Sequence, residues 1–155
     1  MKKLLFSLVS IVNMILIGIA FGLGANTAAW VTKKEGTAIG NWYQLVFPTA
    51  PRTPAVANII CFCLLVLGAA LVVFALLPFK FRKFVNIAGG GALIAAGVLT
   101  LWVPTNYMET SEAASKLSFY SSGSLIAMAV LLLVAGGLAL AASCGEILLK
   151  DKEAK

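Results

Sequence analysis

The chain has 155 residues, 61% hydrophobic and 12% charged, with a mean hydropathy of +0.98, whereas soluble domains carry roughly 25% charged residues. Twelve basic and 6 acidic residues give a formal net charge of +6, and there is no histidine. These figures exclude an ordinary soluble domain, histidine-ligated haem and histidine-based acid–base catalysis. The basic residues punctuate apolar runs instead of forming one surface, which is a membrane protein's usage and not that of a nucleic-acid binder.

The first apolar run, residues 4–24, follows Lys2 and Lys3 and is long enough to cross about 30 Å of hydrocarbon as a helix. Lys2-Lys3 before an apolar run also resembles a secretory signal, with Thr27 and Ala29 as small residues near a cleavage point. The run exceeds a signal core of about 7–15 residues, so an uncleaved anchor is the expectation. Asn13 is the one amide within it and reads as interhelical glue. Gly18 and Gly22 are spaced i,i+4 and offer a close-packing face.

Residues 25–54 form a long first loop. Ala29-Trp30-Val31-Thr32, a polar stretch with Gly36, and Asn41-Trp42-Tyr43-Gln44-Leu45-Val46-Phe47 read as two strands of a β-hairpin. A lone hairpin is marginal in water, so it is expected to rest on the helix ends or to gain further strands. Pro48, Pro51 and Pro54 close the loop.

The second run spans 55–78 and the third 84–103, joined by a short turn with Lys80, Arg82 and Lys83. Cys61 and Cys63 in the second run turn about 200° apart on a helix. With Cys144 they make no converging metal site and no accessible dithiol, so they read as packing residues. The third run offers Gly89 with Gly97, and Ala92 with Ala96. Asn86 lies near the basic turn and carries no expected role.

The second loop spans 104–121, with a helical entry expected near Ser111, where Glu112 and Lys116 are spaced i,i+4. The fourth run, 122–142, continues helically to 149. It offers Gly137, Ala141 and Gly145 on one face. These small residues hold the chain's own bundle together, or present a stripe to another chain. Cys144 lies at the end of this run, beside Lys150. It is either packed between helices or a candidate for S-acylation.

Eight basic residues fall on one side of four spans: Lys2, Lys3, Lys80, Arg82, Lys83, Lys150, Lys152 and Lys155. Four fall on the other: Lys33, Lys34, Arg52 and Lys116. The positive-inside bias puts both termini in the cytoplasm and the two loops outside. The expectation is an all-α integral membrane protein of the cell membrane. It is a single domain, 1–155, built as a four-transmembrane-helix bundle with a small extracellular β-hairpin or sheet.

Trp30 followed by Gly40-Asn41-Trp42, the glycine-bearing third run ending Trp102-Val103-Pro104, and Gly136-Gly137 with Cys144 in the fourth resemble the claudin superfamily. That group includes peripheral myelin protein and calcium-channel gamma subunits. The resemblance implies four helices, cytoplasmic termini and a β-rich first outer loop whose motif maps here onto Trp30, Gly40 and Trp42. It departs from the family in lacking the outer-loop cysteine pair, in a shorter loop and in a tail unlike a scaffold-domain ligand.

No Asp, Glu, Lys or Arg lies centrally in any run, which argues against a proton-coupled transporter and against the glutamate-dependent small multidrug transporters; Glu146 lies beyond the fourth run. No nucleophile–base constellation or phosphate loop is present. The expectation is a protein that is not an enzyme and has no cofactor or metal. It would act through its outer loop, or laterally as an accessory subunit, on other membrane proteins or a second copy, with membrane lipid around it. The alternative is a pore-forming or accessory component of a transporter, because neutral side chains and backbone can line a pore.

Overall fold

A computed structural model describes the backbone of residues 2–26, 28–32, 38–49, 53–109 and 119–153, and the side chains of 8–26, 40–49, 53–107 and 121–145. The elements in chain order are α1 (Lys2–Asn26), β1 (Ala28–Thr32), β2 (Ala38–Asn41), α2 (Trp42–Val46), α3 (Val56–Phe74), α4 (Arg82–Thr100), α5 (Val103–Glu109), β3 (Phe119–Ser121) and α6 (Gly123–Glu153). Four of them, α1, α3, α4 and α6, are long and apolar enough to cross a membrane, the architecture of a multi-pass membrane protein. The expected spans agree with them to within about four residues at each end. The second run stops as helix at Phe74, not Pro78, because Pro78 cannot donate to a helical ladder.

α4 is the central helix, packed along both α3 and α6, while α1 runs along α6 and touches α3 more lightly. The α3–α4 and α4–α6 pairs are antiparallel, as their contacts show. Cys61 meets Ala96 while Gly68 meets Gly89, and Gly97 meets Ala129 while Gly90 meets Gly136. The buried seam contains Ile17 and Ala20 of α1, Leu65 and Val72 of α3, Leu93 and Ala96 of α4, and Met128, Leu132, Ala135 and Ala139 of α6. Large aliphatic side chains such as Leu8, Ile15, Leu67, Val73, Val130 and Val134 point outward, as they do where the surrounding medium is hydrocarbon and not water.

One end of the bundle carries a three-stranded antiparallel sheet of order β2-β1-β3. β1 is central, with Trp30 opposite Ile39 on one side and Ser121 on the other. β3, the segment just before α6, pairs with β1 on the side away from β2. The other end carries the 75–81 turn; the two are called the sheet end and the turn end.

Two expectations at the sheet end are corrected. The aromatic stretch 42–47 is not the second strand: that strand ends at Asn41 and the chain turns into α2. Pro104, expected to open the second loop, lies in the first turn of α5 (Val103–Glu109), where the missing Pro N–H is one the helix start leaves unpaired in any case. Ser122 caps the start of α6, its Oγ accepting from Leu125 N at 3.2 Å; the helical entry expected near Ser111 lies outside the described residues.

Candidate functional site

The sheet end is built by three asparagines. The first is Asn41, at the junction of β2 and α2. Gly40 before it has φ +53°, and a Cβ there would stand 3.1 Å from Gln44 Oε1. This left-handed conformation suits glycine and swings the chain out of the sheet. Asn41 then starts a capping box: its Oδ1 accepts from Gln44 N at 3.0 Å, and its own N–H donates to Gln44 Oε1 at 2.9 Å. Reciprocal satisfaction of two helix-start donors favours helix over the strand propensity of Trp-Tyr-Gln-Leu-Val. The Asn41 Nδ2 also donates to Ala25 O at 2.7 Å, tying this corner to the end of α1.

The second and third are Asn58 and Asn106. Asn58 of α3 is fully buried. Its Nδ2 donates to Leu45 O and to Val103 O, both at 3.2 Å, and its Oδ1 accepts from Asn106 Nδ2 at 3.1 Å. One amide therefore joins α2, α3 and α5, with both its protons used.

Trp42 fills the space between these links. It is 1% exposed, packs edge-on to Tyr43 with ring centroids 5.2 Å apart, and lies tilted against Phe62 of α3 at 6.3 Å. It is a core residue joining α2 to α3, not a member of an interfacial belt; Trp102, 54% exposed, has the character of one. The Trp42 Nε1–H has no hydrogen-bond partner among the described residues. Partial burial raises the Tyr43 phenol above its ordinary pKa. Trp30 lies in the central strand, and its side chain is outside the described residues.

The glycines divide by geometry. Gly89 faces Leu71 and Val72 of α3, and Gly97 faces Ala129, Leu132 and Leu133 of α6, at distances where an added Cβ would be crowded. Gly18, Gly22, Gly137 and Gly145 meet nothing within 4 Å, and Ala141 is exposed. The close approach on α6 is made by Gly136, where a Cβ would stand 2.6 Å from the Gly90 carbonyl oxygen. Neighbouring helix positions lie about 100° apart, so Gly137 points outward when Gly136 points in. Gly68, Gly90 and Gly136 were not anticipated as packing positions. A Gly-Gly or Gly-Gly-Gly run does not reveal which member faces the neighbouring helix.

Besides Asn58, two further buried amides lie within the crossing helices among the described residues. Asn86, anticipated as unremarkable, is buried and donates to Ala139 O at 2.9 Å and to Ser143 Oγ at 2.8 Å. Asn13 is buried facing the same bundle interior, but its Oδ1 has no partner among the described residues, so the expected interhelical bond is not made by that oxygen. Cys61 is buried, its Sγ 3.5 Å from Ala96 O and 3.7 Å from Thr100 Oγ1. Cys63 and Cys144 are exposed on the outside of the bundle, which removes the reading of Cys144 as packed between helices. Among the described residues no group of three or more His, Cys, Asp or Glu side chains is placed to hold a metal ion.

No protein-family model matches the chain, and no curated protein matches its sequence.

Proposed function

We propose that the chain is a non-enzymatic, claudin-like protein of the cell membrane that works by protein–protein contact. Contact would run through the sheet end outside the cell, or laterally as an accessory subunit, with both termini in the cytoplasm. The observation that carries this reading is the Asn58 node. Its amide is saturated by Leu45, Val103 and Asn106, so the polar capacity there holds a folded cap rigidly on the helices. A rigid, backbone-anchored surface is the kind that pre-organised complexes bind with little backbone movement. The eight-to-four distribution of basic residues supports the orientation, and Phe47, Val56, Leu101 and Trp102, exposed around the cap, suit either the membrane interface or a neighbouring membrane protein. Cys144, exposed near the turn end, is the acylation candidate in this scheme, and mass spectrometry of its peptide from native membranes reads its state.

The test has two arms. Solubilisation in mild detergent and co-purification should recover a stoichiometric membrane-protein complex that Gly40→Val, which disturbs the cap, dissociates. Liposomes holding this chain alone should pass no ions or small solutes above the empty-vesicle rate. Flux without a partner would establish the transporter reading in its place. Orientation is read by labelling single cysteines: Thr105→Cys should react from outside the cell and Lys80→Cys from the cytoplasm only.

A further inference from the structure

We infer that the α3–α4 turn is a seat for the headgroup phosphate of an anionic phospholipid, with the lipid remaining in the bilayer. The turn reads Pro78-Phe79-Lys80-Phe81-Arg82-Lys83-Phe84 and joins two helices that are each long enough to cross the membrane. It therefore sits at a membrane surface whichever way the protein is oriented. Its side chains divide into two sets. Phe81 and Phe84 are 62% and 66% exposed, and Phe74 and Leu77 are also exposed at the same corner. Phe74 stacks on Phe79 at 5.1 Å, 51° between planes. Four large apolar groups left open beside the turn fit the boundary between headgroups and acyl chains. Interleaved with them are three cations: Lys80, exposed, and Arg82 and Lys83, half-buried.

The charge around these cations selects the occupant. No acidic residue occurs between Glu35 and Glu109. On α6 and beyond, Glu146, Asp151 and Glu153 are matched in number by Lys150, Lys152 and Lys155. Counted together, the basic residues of the turn and of the segment after Gly145 outnumber the acidic ones, so this end of the bundle carries a net positive charge. Arg82 and Lys83 also occupy the first turn of α4, which has no acidic residue and no side-chain cap at Phe81. Cations at a helix N-terminus oppose the helix dipole, and an anion beside them reverses that sign. A zwitterionic headgroup brings a compensating cation; an anionic one does not. Basic residues at a membrane surface attract anionic lipid, and the aromatic groups hold the turn at the depth where headgroup phosphates lie.

The experiment uses the full-length protein in phosphatidylcholine bilayers doped with spin-labelled phosphatidylglycerol or spin-labelled phosphatidylcholine. The motionally restricted fraction should show a preference for phosphatidylglycerol on the order of tenfold. The triple variant Lys80→Gln/Arg82→Gln/Lys83→Gln should bring it close to unity. The charge-matched triple Lys150→Gln/Lys152→Gln/Lys155→Gln should leave it within about twofold of wild type. Equal loss in both variants means a diffuse charge effect and overturns the seat. Competition by inorganic phosphate that releases the labelled lipid overturns the bilayer lipid as the occupant. A variant that misinserts is bypassed by the wild-type protein itself: photoreactive phosphatidylglycerol with the reactive group on its headgroup should cross-link to the peptide containing residues 79–84. Cross-links confined to other peptides also overturn the proposal.

Discussion

The Gly90 carbonyl oxygen lies 2.6 Å from where a Cβ on Gly136 would sit, and the Gly136 carbonyl oxygen lies 2.9 Å from where one on Gly90 would sit. Two backbones meet here with no side chain between them, and α4 and α6 owe their close crossing to it. Gly136→Ala should destabilise the bundle by about 1–3 kcal/mol, the usual cost of overpacking. Gly137→Ala, one residue away and facing open space, should be neutral or stabilising by up to about 1 kcal/mol through helix propensity. Reversible unfolding in mixed micelles compares the two; equal effects would mean that α6 is rotated from the register described.

Asn58→Leu removes three hydrogen bonds at once and leaves Leu45 O, Val103 O and Asn106 Nδ2 to find other partners. At about 1 kcal/mol for each net bond, a loss of about 2–3 kcal/mol is expected. Asn106→Ala removes one of them and should cost about 1 kcal/mol. A ratio near one between the two variants, measured by thermal unfolding in detergent, would show that the node does not act through Asn58.

Gly40→Ala tests the corner that directs the chain from β2 into α2. The left-handed backbone, φ +53°, costs a residue with a Cβ about 1–2 kcal/mol, and the Gln44 side chain stands in the way as well. Asn41→Ala removes the cap and the tie to Ala25 and should cost about 1–2 kcal/mol. Both should loosen the sheet end before the helices, so hydrogen exchange at 38–46 should accelerate while exchange in α4 does not.

Tyr43 supplies a pH signature. Burial raises its phenol above the ordinary value, so the folded chain holds this proton where the unfolded chain has released it. The associated stability is complete below about pH 10, the unfolded value, and falls as pH rises past it. Wild type should lose more stability than Tyr43→Phe between about pH 9 and 11, with no difference between them in pH dependence below that range.

The four crossing helices were legible because an uninterrupted apolar run of that length has few other uses. Rotation about each helix axis was not: Gly136 and Gly137 have the same composition and spacing signals, and only the position of α4 separates them. Asn41-x-x-Gln44 was a readable capping box, but the β-branched and aromatic neighbours gave a stronger strand signal. β3 was hidden for another reason. Its partner β1 lies about ninety residues earlier in the chain, and a three-residue strand has no periodicity of its own. Asn86 looked like a residue at a helix end, and becomes a buried donor only because Ser143 of α6 passes beside it.

That pairing bears on how the protein is made. Segments enter a membrane in the order of synthesis and associate afterwards. Asn58 gains its last partners once the chain as far as Asn106 has been inserted. Asn86 must wait for Ala139 and Ser143, in the second half of the final crossing helix. Until then its amide lacks these two partners, and the glycine face of α4 at Gly90 and Gly97 stands open. A chain that stalls before α6 is therefore chemically distinguishable, within the bilayer itself, from a finished one: it carries a polar mark that the last helix erases.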